Sequence, residues 1–402
     1  MPEIDPARLM KDLRDLRAIG AYKTGVHRPT FSAEDIESRH WFAARMAEAR
    51  LEASIDGIGN VLGRCRAPGR KLLLGSHLET QNRAGWLDGA LGVVYGLEVA
   101  RALGRGIDVA AFVDEEGHYG QFIGSRSFCG QVSEAEMDRL SNRNTGESLR
   151  DSVARAGWAG LPRAEVDPAR HIGYVEAHIE QGAELEDKSL RIGVVTAIVG
   201  SRRFRVVAEG SQNHAGTTRM AVRRDAGVAL ARLQVAIEDL FPRIAGPRTV
   251  WTMGRVLLDP GQPSIVPVGA EGLFQIRDTE LATLDRMERA LEDLVAAANA
   301  RGPCRIALRD RSTTTPAAMD AGLRAALGAA AQARAPGLAQ DMPSGAGHDA
   351  QVLSSRVPSA MLFVPSIGGI SHHWSEDTSE ADIVLGCRVL ADAAAAVLAG
   401  VG

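Results

Sequence analysis

Several features that would assign this chain to a specialised class of protein are scarce or missing. The 402 residues contain only four cysteines, which stand far apart and form no CxxC pair: Cys65, Cys129, Cys304 and Cys387. A disulfide framework or a thiolate zinc site is therefore not expected, and a reducing cytoplasm fits this usage. No apolar run reaches about 18 residues, which argues against a membrane span. The N-terminal segment also lacks the apolar core of a signal peptide.

Charge of one sign is not concentrated in any part of the chain. The formal net charge is -4 and there is no long basic run, so nucleic acid and an anionic membrane are not expected partners. No GxSxG sequence occurs, which disfavours a serine hydrolase. The glycines of residues 57–63 are spaced GxGxxxG, which disfavours dinucleotide binding. The hydrophobic share of 45% is sufficient for the core of one or two domains.

The order of apolar segments predicts an α/β fold. Apolar runs at 71–77 and 107–113 have the length of buried strands, and a helical pattern at 89–103 lies between them. The segments 171–178 and 359–366 are expected to be further strands of the same sheet. Apolar strands separated by helices are typical of a mostly parallel sheet with helices on both faces. The sequence therefore predicts a domain of this kind.

A second pattern interrupts the first one. From residue 201 to about 310 the expected order is strand, helix, strand, strand, helix, strand, which is the ferredoxin-like βαββαβ arrangement. We predict one domain formed by residues 1–200 and 317–402, and a second domain, residues 201–316, inserted into it.

Polar side chains collect where the predicted parallel strands end. His77, His178 and the carboxylates of 114–116 each terminate a strand, His372 lies just beyond another, and Asp88 lies in a loop before a helix. Ligands bind beyond the carboxyl ends of such strands, and imidazole with carboxylate suits zinc, manganese or cobalt. Cations would also offset the mutual repulsion of the three adjacent carboxylates.

Each of these residues alone has a simpler explanation. A histidine at a strand end is more often a structural or surface residue, a carboxylate triplet is usually a solvated loop, and Asp88 beside a glycine is by default a turn residue or helix cap. Their convergence on one predicted edge is what favours a metal site.

Specific motifs run in order from about residue 30 to the C-terminus: "GSHLETQNRAGWLDGALGVVYGLEVARAL", "DEEG…GSRSF", "EAHIEQGAELE", "IGVVTAIVGSRRF", "NHAGTTRM", "MPSGAGHDAQ" and "FVPSIGGISHHWSEDT". In these motifs the chain resembles the hydantoinase/carbamoylase amidases. That family includes N-carbamoyl-L-amino acid hydrolases, β-ureidopropionases and allantoate amidohydrolases, within the clan of co-catalytic zinc aminoacylases and carboxypeptidases.

The resemblance implies two divalent metal ions per subunit, zinc first, with manganese, cobalt or nickel as alternatives. It implies that His77 and His372 each bind one metal, that Asp88 bridges both, and that Glu116 and His178 complete the two sets. Glu115 matches the family's general base, and Asp114 is interpreted as a turn residue or a neighbour of the ligands.

The resemblance implies that the first domain is a catalytic dinuclear-metal domain and that the inserted domain is a lid and dimerisation domain. It also assigns roles to residues of the inserted domain. His214 matches a histidine that reaches the site of the partner subunit in a homodimer and donates to the developing oxyanion. Arg277 matches an arginine that clamps the substrate carboxylate. Substrate-contacting positions of the family are matched by Gln181, Ser264, Gly345 and Gly347. Without the resemblance, a loop histidine and a strand-edge arginine would be the simpler interpretations.

The chain departs from the family pattern at several positions. Glu79 stands where the family has an aspartate that orients the first histidine ligand, Arg219 replaces a proline, and Ser264 replaces an asparagine. The loop after the carboxylates is the shorter "EEGHYGQF". The metal and base positions are intact while positions facing the substrate have changed, so the chemistry is more secure than the substrate.

The resulting hypothesis is a metal-dependent amidohydrolase that uses a metal-bridged water to cleave the carbamoyl (ureido) C–N bond of N-carbamoyl-L-amino acids or a related ureido acid with a carboxylate. Allantoate amidohydrolase or β-ureidopropionase activity is an alternative. Another is an aminoacylase or metallopeptidase of the same clan acting on N-acyl amino acids or dipeptides; "HIEQG" with "GAGHD" favours the carbamoylase branch. A binding protein with a relict site would be expected to have lost Glu115 or a ligand.

Overall fold

The structure is a computed structural model, and it describes residues 2–400. Its strands are β1 (Ala21–Tyr22), β2 (Gly25–Val26), β3 (Glu52–Ile55), β4 (Val61–Arg64), β5 (Lys71–His77), β6 (Ile107–Phe112), β7 (His171–Ile179), β8 (Ile192–Ile198), β9 (Gly200–Glu209), β10 (Asn213–His214), β11 (Val250–Asp259), β12 (Ile265–Val266), β13 (Gly269–Asp278), β14 (Arg305–Thr314), β15 (Ala317–Ala318), β16 (Ala339–Ser344) and β17 (Ser359–Val364).

Its α-helices are α1 (Pro6–Ala18), α2 (Ala33–Glu48), α3 (Ala90–Leu103), α4 (Ile123–Phe128), α5 (Glu134–Met137), α6 (Leu149–Arg155), α7 (Glu184–Asp187), α8 (Ala226–Ile244), α9 (Leu281–Arg301), α10 (Ala321–Arg334), α11 (Asp349–Leu353) and α12 (Glu380–Ala399). Short 3₁₀ helices occur at Met220–Val222 and Ile367–Gly369. Within the described part of the chain, no helix combines the length and the apolar character that crossing a bilayer requires.

The chain divides into two compact units, each with a hydrophobic core of its own. The first unit runs to Thr196 and resumes at Ala318, and the second is Ala197–Ala317. The expected α/β class with an inserted ferredoxin-like domain is confirmed.

A nine-stranded mixed sheet organises the first unit. Its four central strands, in the order β17-β7-β5-β6, are parallel, whereas β8, β4 and β3 join it in antiparallel pairings. Every residue of β5, β6 and β17 is buried, which is why these strands read as unbroken apolar runs. The register pairs His77 with Phe112 and His178 with Phe363, so the strand ends meet at one edge.

Helix α3 packs closely on this sheet because it carries glycine where it meets the strands. A Cβ atom at Gly92 would lie 2.3 Å from the backbone oxygen of Ala177. The residues from Ala90 to Ala100 are all buried, so the start of α3, two residues after Asp88, is held rigidly against the strand ends.

The inserted unit is an antiparallel sheet in the order β11-β13-β9-β14, covered by α8 and α9. Alternation along the strands puts Phe204 and Phe274 in the core with both helices, while Arg203 and Gln275 lie on the other face, where their side chains are hydrogen-bonded. A separate ribbon pairs β10 with β12 and sets His214 opposite Ile265.

Candidate active site

Two sets of side chains at the edge of the central strands could each hold a metal ion. One set is His77, Asp88 and His178, and the other is Asp88, Glu116 and His372. Within each set the candidate ligand atoms lie within 4.8 Å of one another, and Asp88 belongs to both.

Backbone carbonyls determine which ring nitrogen of two histidines faces the centre. Nδ1 of His77 lies 3.0 Å from the carbonyl oxygen of Glu79, and Nδ1 of His178 lies 2.9 Å from that of Ile179. A carbonyl oxygen only accepts, so Nδ1 carries the proton and the neutral ring keeps its lone pair on Nε2. The two Nε2 atoms lie 3.5 Å and 3.1 Å from Oδ1 of Asp88.

The second set uses the other oxygen of Asp88. Nε2 of His372 lies 3.3 Å from Oδ2 of Asp88 and 3.6 Å from Oε2 of Glu116. Each carboxylate oxygen of Asp88 thus faces a different set of nitrogens, which is the arrangement required of a bridging ligand. The side chain of His372 is 50% exposed, unlike the buried rings of the first set.

Amides and a further carboxylate fix the loops that carry these residues. Glu376 accepts hydrogen bonds from the backbone N–H groups of Asp88 and His372 and so ties the two loops together. Gln181 donates to Oδ2 of Asp88 at 3.0 Å, and Gln81 donates to Oε2 of Glu116 at 2.9 Å. Sequence reasoning missed Glu376, although its position four residues after His372 was a usable signal.

The cluster concentrates charge that has to be balanced. Burial raises the pKa of Glu115 well above its ordinary value, and the charge of Glu116 adds to this against the opposing charge of His77. Burial acts to lower the pKa of His77, but the neighbouring carboxylates outweigh it and raise that pKa. Burial acts to raise the pKa of Asp88, but hydrogen bonds from the imidazoles, when these carry a second proton, hold it well below its usual range.

Protons on the imidazoles or divalent cations between the ligands are the two ways to balance this charge. A set of imidazole nitrogens and carboxylate oxygens suits zinc, manganese or cobalt. The donor set therefore fits divalent metal ions. Glu115 is buried beside it, with Oε2 3.7 Å from Nε2 of His77, and belongs to neither set.

Asp114 lies in the turn expected of it. Its backbone has φ of 57°, and its carboxylate accepts hydrogen bonds from Thr30 and from the backbone N–H groups of His118, Tyr119 and Gly120. These bonds hold the loop that follows Glu116 in a closed turn.

The glycine motif near residue 345 lies beside the metal-site residues. Gly345 is exposed, and a Cβ atom at Gly347 would lie 2.8 Å from the ring of Phe122. The buried ring of His348 packs edge-on against His178 at 4.6 Å and its Nε2 lies 3.0 Å from the hydroxyl of Ser344. His348 therefore supports the loop and the histidine behind it.

His214 of the inserted unit is held in the opposite way to His77. Its exposed ring accepts, at Nδ1, the backbone N–H groups of Gly216 at 3.0 Å and Thr217 at 3.2 Å. A backbone N–H only donates, so the neutral ring carries its proton on Nε2. The carbonyl of exposed Ser264 accepts from the backbone N–H of Ala215, which joins the segment of His214 to that of Ser264.

Arg277 is half-buried on β13 of the same unit. Burial lowers the pKa of its guanidinium, and the charge of Arg203 lowers it further. Strand alternation places both arginines on the face of the sheet opposite the one that packs on α8 and α9. Arg219, the departure from the family proline, is exposed.

Fold and geometry together define a two-unit α/β protein with a candidate dinuclear metal site at the edge of a parallel strand group. The chain belongs to the peptidase family M20/M25/M40, whose model matches residues 73–396. The predicted relationship to the hydantoinase/carbamoylase amidases is confirmed, as is the prediction of a hydrolase acting on C–N bonds outside peptides.

Known proteins resemble the chain over nearly its whole length. A crystal structure of an amidase of the hydantoinase/carbamoylase family from Burkholderia phymatum has 48% identity and a TM-score of 0.92, covering 100% of both chains. An allantoate amidohydrolase from Escherichia coli is 34% identical over 91% of this chain and 92% of its own. An N-carbamoyl-L-amino acid amidohydrolase from Geobacillus stearothermophilus is 32% identical over 96% and 97%.

Proposed function

We propose that this protein is a metal-dependent amidohydrolase that cleaves the carbamoyl C–N bond of N-carbamoyl-L-amino acids or of a closely related ureido acid. The observation that carries the proposal is the buried carboxylate of Glu115 beside two candidate metal sets that share Asp88. The relatives named for N-carbamoyl amino acids and for allantoate support the ureido class. Their similar identities leave allantoate as the second candidate substrate.

The proposed cofactor is a pair of divalent cations, zinc first, with manganese, cobalt or nickel as alternatives. His77, His178 and Asp88 would hold one ion, and Asp88, Glu116 and His372 the other. When bound, such a pair acidifies a water molecule and polarises the carbonyl of the scissile amide.

Glu115 is the proposed general base. It takes a proton from the attacking water and delivers it to the leaving nitrogen. Glu115 suits this role by position, because its buried carboxylate lies beside the two candidate sets and belongs to neither. Its backbone and side chain are buried, so the proton passes to the substrate and not to bulk water.

His214 is proposed to donate its Nε2–H to the oxyanion of the partner subunit's site in a homodimer. The two backbone N–H groups on Nδ1 support this role, because they keep the proton on the outward-facing nitrogen. The inserted unit also offers a surface for pairing. Within residues 2–400 strand β11 is an edge of its sheet, and it exposes consecutive large apolar side chains, Val256, Leu257 and Leu258.

Arg277 is proposed to clamp the substrate carboxylate, since a planar guanidinium matches that group bidentately. Gln181, Ser264, Gly345 and Gly347 are the further proposed substrate contacts. In this proposal residues 1–200 with 317–402 form the catalytic domain, and 201–316 the lid and dimerisation domain. All four cysteines are free and buried, which fits the cytoplasm proposed for this enzyme.

A substrate screen tests the proposal. Metal-loaded enzyme is assayed for product release from N-carbamoyl-L-amino acids, N-carbamoyl-β-alanine, allantoate, N-formyl and N-acetyl amino acids and dipeptides, with Glu115→Gln as the blank. Ureido acids should be hydrolysed with the highest kcat/KM. Highest kcat/KM for N-acetyl amino acids or dipeptides would instead make the protein an aminoacylase or a peptidase.

A further inference from the structure

Glu79 has a carboxylate that does not orient the first histidine. The Nδ1–H of His77 donates to the backbone carbonyl of Glu79 at 3.0 Å, whereas the nearest carboxylate oxygen is 3.8 Å from that nitrogen. The backbone is therefore sufficient to orient this imidazole. The side chain of Glu79, one methylene longer than aspartate, serves another partner.

That partner is the backbone of the proposed base. The N–H of Glu115 donates to Oε1 of Glu79 at 2.5 Å, and the other oxygen, Oε2, accepts from Nη2 of Arg39 at 2.7 Å. The side chains of Arg39 and Glu79 are fully buried. The carboxylate thus lies between a guanidinium on one side and the backbone of Glu115 on the other.

Arg39 is itself fixed in direction. From helix α2 it contacts Asp35 through Nη2 at 3.0 Å and through Nε at 3.1 Å, and its Nη1 donates to the backbone carbonyls of Gly59 and Phe112. Phe112 ends strand β6, three residues before Glu115. Arg39 therefore holds this segment at its start through a carbonyl and at the base itself through Glu79.

We propose that Arg39 is a positioning residue for the hydrolysis, acting through Glu79 to fix the backbone of Glu115 and the direction of its carboxylate. The inference rests on the proposed function only for the role of Glu115 as the base. The rigid guanidinium fork of Arg39 sets where the accepting carboxylate of Glu79 lies. A purely structural ion pair would stabilise the unit without an effect specific to Glu115.

Two single variants and their double-mutant cycles with Glu115→Gln distinguish a positioning role of Arg39 from a purely structural one. Arg39→Lys and Glu79→Gln are made alone and combined with Glu115→Gln, and kcat, KM and bound metal are measured on the metal-loaded enzyme. Each single variant should lower kcat by about 10- to 100-fold, the cost of a small misplacement of a reacting group, with KM and metal content unchanged. In the Glu115→Gln background neither should lower the residual rate further.

Arg202→Lys is the matched control. Arg202 is buried in the inserted unit and also binds two carboxylates, Asp285 at 2.6 Å and Glu288 at 2.9 Å. The Arg202→Lys variant loses a guanidinium between two carboxylates, as Arg39→Lys does, but Arg202 has no link to Glu115. The kcat of Arg202→Lys should therefore stay at the wild-type value. If Arg39→Lys does not fold, Glu79→Gln carries the test alone.

Hydrogen–deuterium exchange of the peptide containing Glu115 measures how well the N–H of Glu115 is protected by Glu79, independently of activity. Exchange should be faster in Arg39→Lys and Glu79→Gln than in the wild type and Arg202→Lys. Faster exchange together with an active Glu115→Gln enzyme would support the positioning contact and overturn the assignment of the base. Unchanged exchange and unchanged kcat in folded variants, or equal losses in both backgrounds, would overturn the role of Arg39.

Discussion

In the first unit the Nδ1 atoms of His77 and His178 donate to backbone carbonyls, whereas in the inserted unit Nδ1 of His214 accepts from two backbone N–H groups. The first two rings therefore offer a lone pair at Nε2 and the third offers a proton there. The comparison teaches that the backbone around Nδ1 decides whether a histidine can bind a cation or donate to an anion.

The two units also differ in how deeply their candidate functional side chains are buried. The candidate metal site encloses two carboxylates whose pKa values move in opposite directions: burial raises that of Glu115, whereas the imidazoles hold that of Asp88 well below its usual range. The inserted unit presents an exposed imidazole at His214 and a guanidinium at Arg277. This difference agrees with the proposed function, in which the first unit binds cations and transfers the proton and the inserted unit recognises the substrate anion.

The largest effect is expected at the base. Glu115→Gln should keep both metal ions, because Glu115 belongs to neither ligand set, but should lower kcat by about 10²–10⁴-fold or more, since general-base catalysis is lost. Metal content by elemental analysis and kcat are measured on one preparation. Glu136→Gln, at the partly exposed pair with Arg126, is the control. Wild-type turnover with full metal content would contradict the assignment.

His214 tests the inserted unit in the same assay. His214→Ala should lower kcat by about 10²–10³-fold, which is typical when one oxyanion donor is removed, and should leave metal content unchanged. His40→Ala, a change at an exposed histidine on α2, should leave kcat at the wild-type value. Loss of metal from His214→Ala would contradict the division of labour between the units.

Mixing variants tests whether His214 serves the partner subunit. A dimer of one His214→Ala chain and one Glu115→Gln chain has one site with both lesions and one with neither, if the two groups come from opposite chains. Purified mixed dimers should then recover about half of the wild-type rate, because general-base and oxyanion contributions are both intact at one site. Mixed dimers as inactive as the parents would restrict His214 to its own chain.

Arg277 should affect binding more than turnover. Arg277→Lys keeps the charge but loses the bidentate fork, so KM for carboxylate substrates should rise by about 10- to 100-fold, the usual worth of a charged hydrogen bond. Arg205→Lys is the control, because Arg205 lies on the same sheet but binds Glu271 and Asp310. Equal KM in both variants would remove the carboxylate clamp from the proposal.

The ends of the central strands could be predicted from the sequence, but the side chains that hydrogen-bond to the residues there could not. A short apolar run predicted β5, and the segment 171–178 was predicted as a further strand, so His77 at the end of β5 and His178 next to the end of β7 follow from the sequence. The contact of Glu376 with Asp88 and that of Arg39 with Glu79 could not be predicted, because the partners are 288 and 40 residues apart in the chain. Apolar periodicity reports burial and says nothing about which buried polar groups meet.

The antiparallel margins of the large sheet also escaped prediction. Strand β3 has four residues that alternate between exposed and half-buried positions, and β8 lies between predicted elements. The four residues of β3 are too few to show a period, whereas β8 is a largely buried apolar run of seven residues whose signal was overlooked. The hydrogen-bond direction at each Nδ1 atom was equally inaccessible, since it depends on loop geometry and not on residue type.

The smallest predicted effect concerns protonation on the buried side of the comparison. Burial, with a contribution from Arg143, lowers the pKa of His118 to about 4. The unfolded chain therefore binds this proton first, so the contribution of His118 to stability is complete above its ordinary pKa of 6.5 and is lost as pH falls towards 4.

Replacing His118 with asparagine removes this pH-dependent contribution to stability. The free energy of unfolding is measured by urea denaturation for the wild type and for His118→Asn. As the pH falls from about 7 to about 5, the wild-type value should decrease relative to that of the variant by about 2 kcal/mol. A difference that stays constant over this range would show that the ring of His118 is protonated equally in both states, and that burial does not control protonation in this loop.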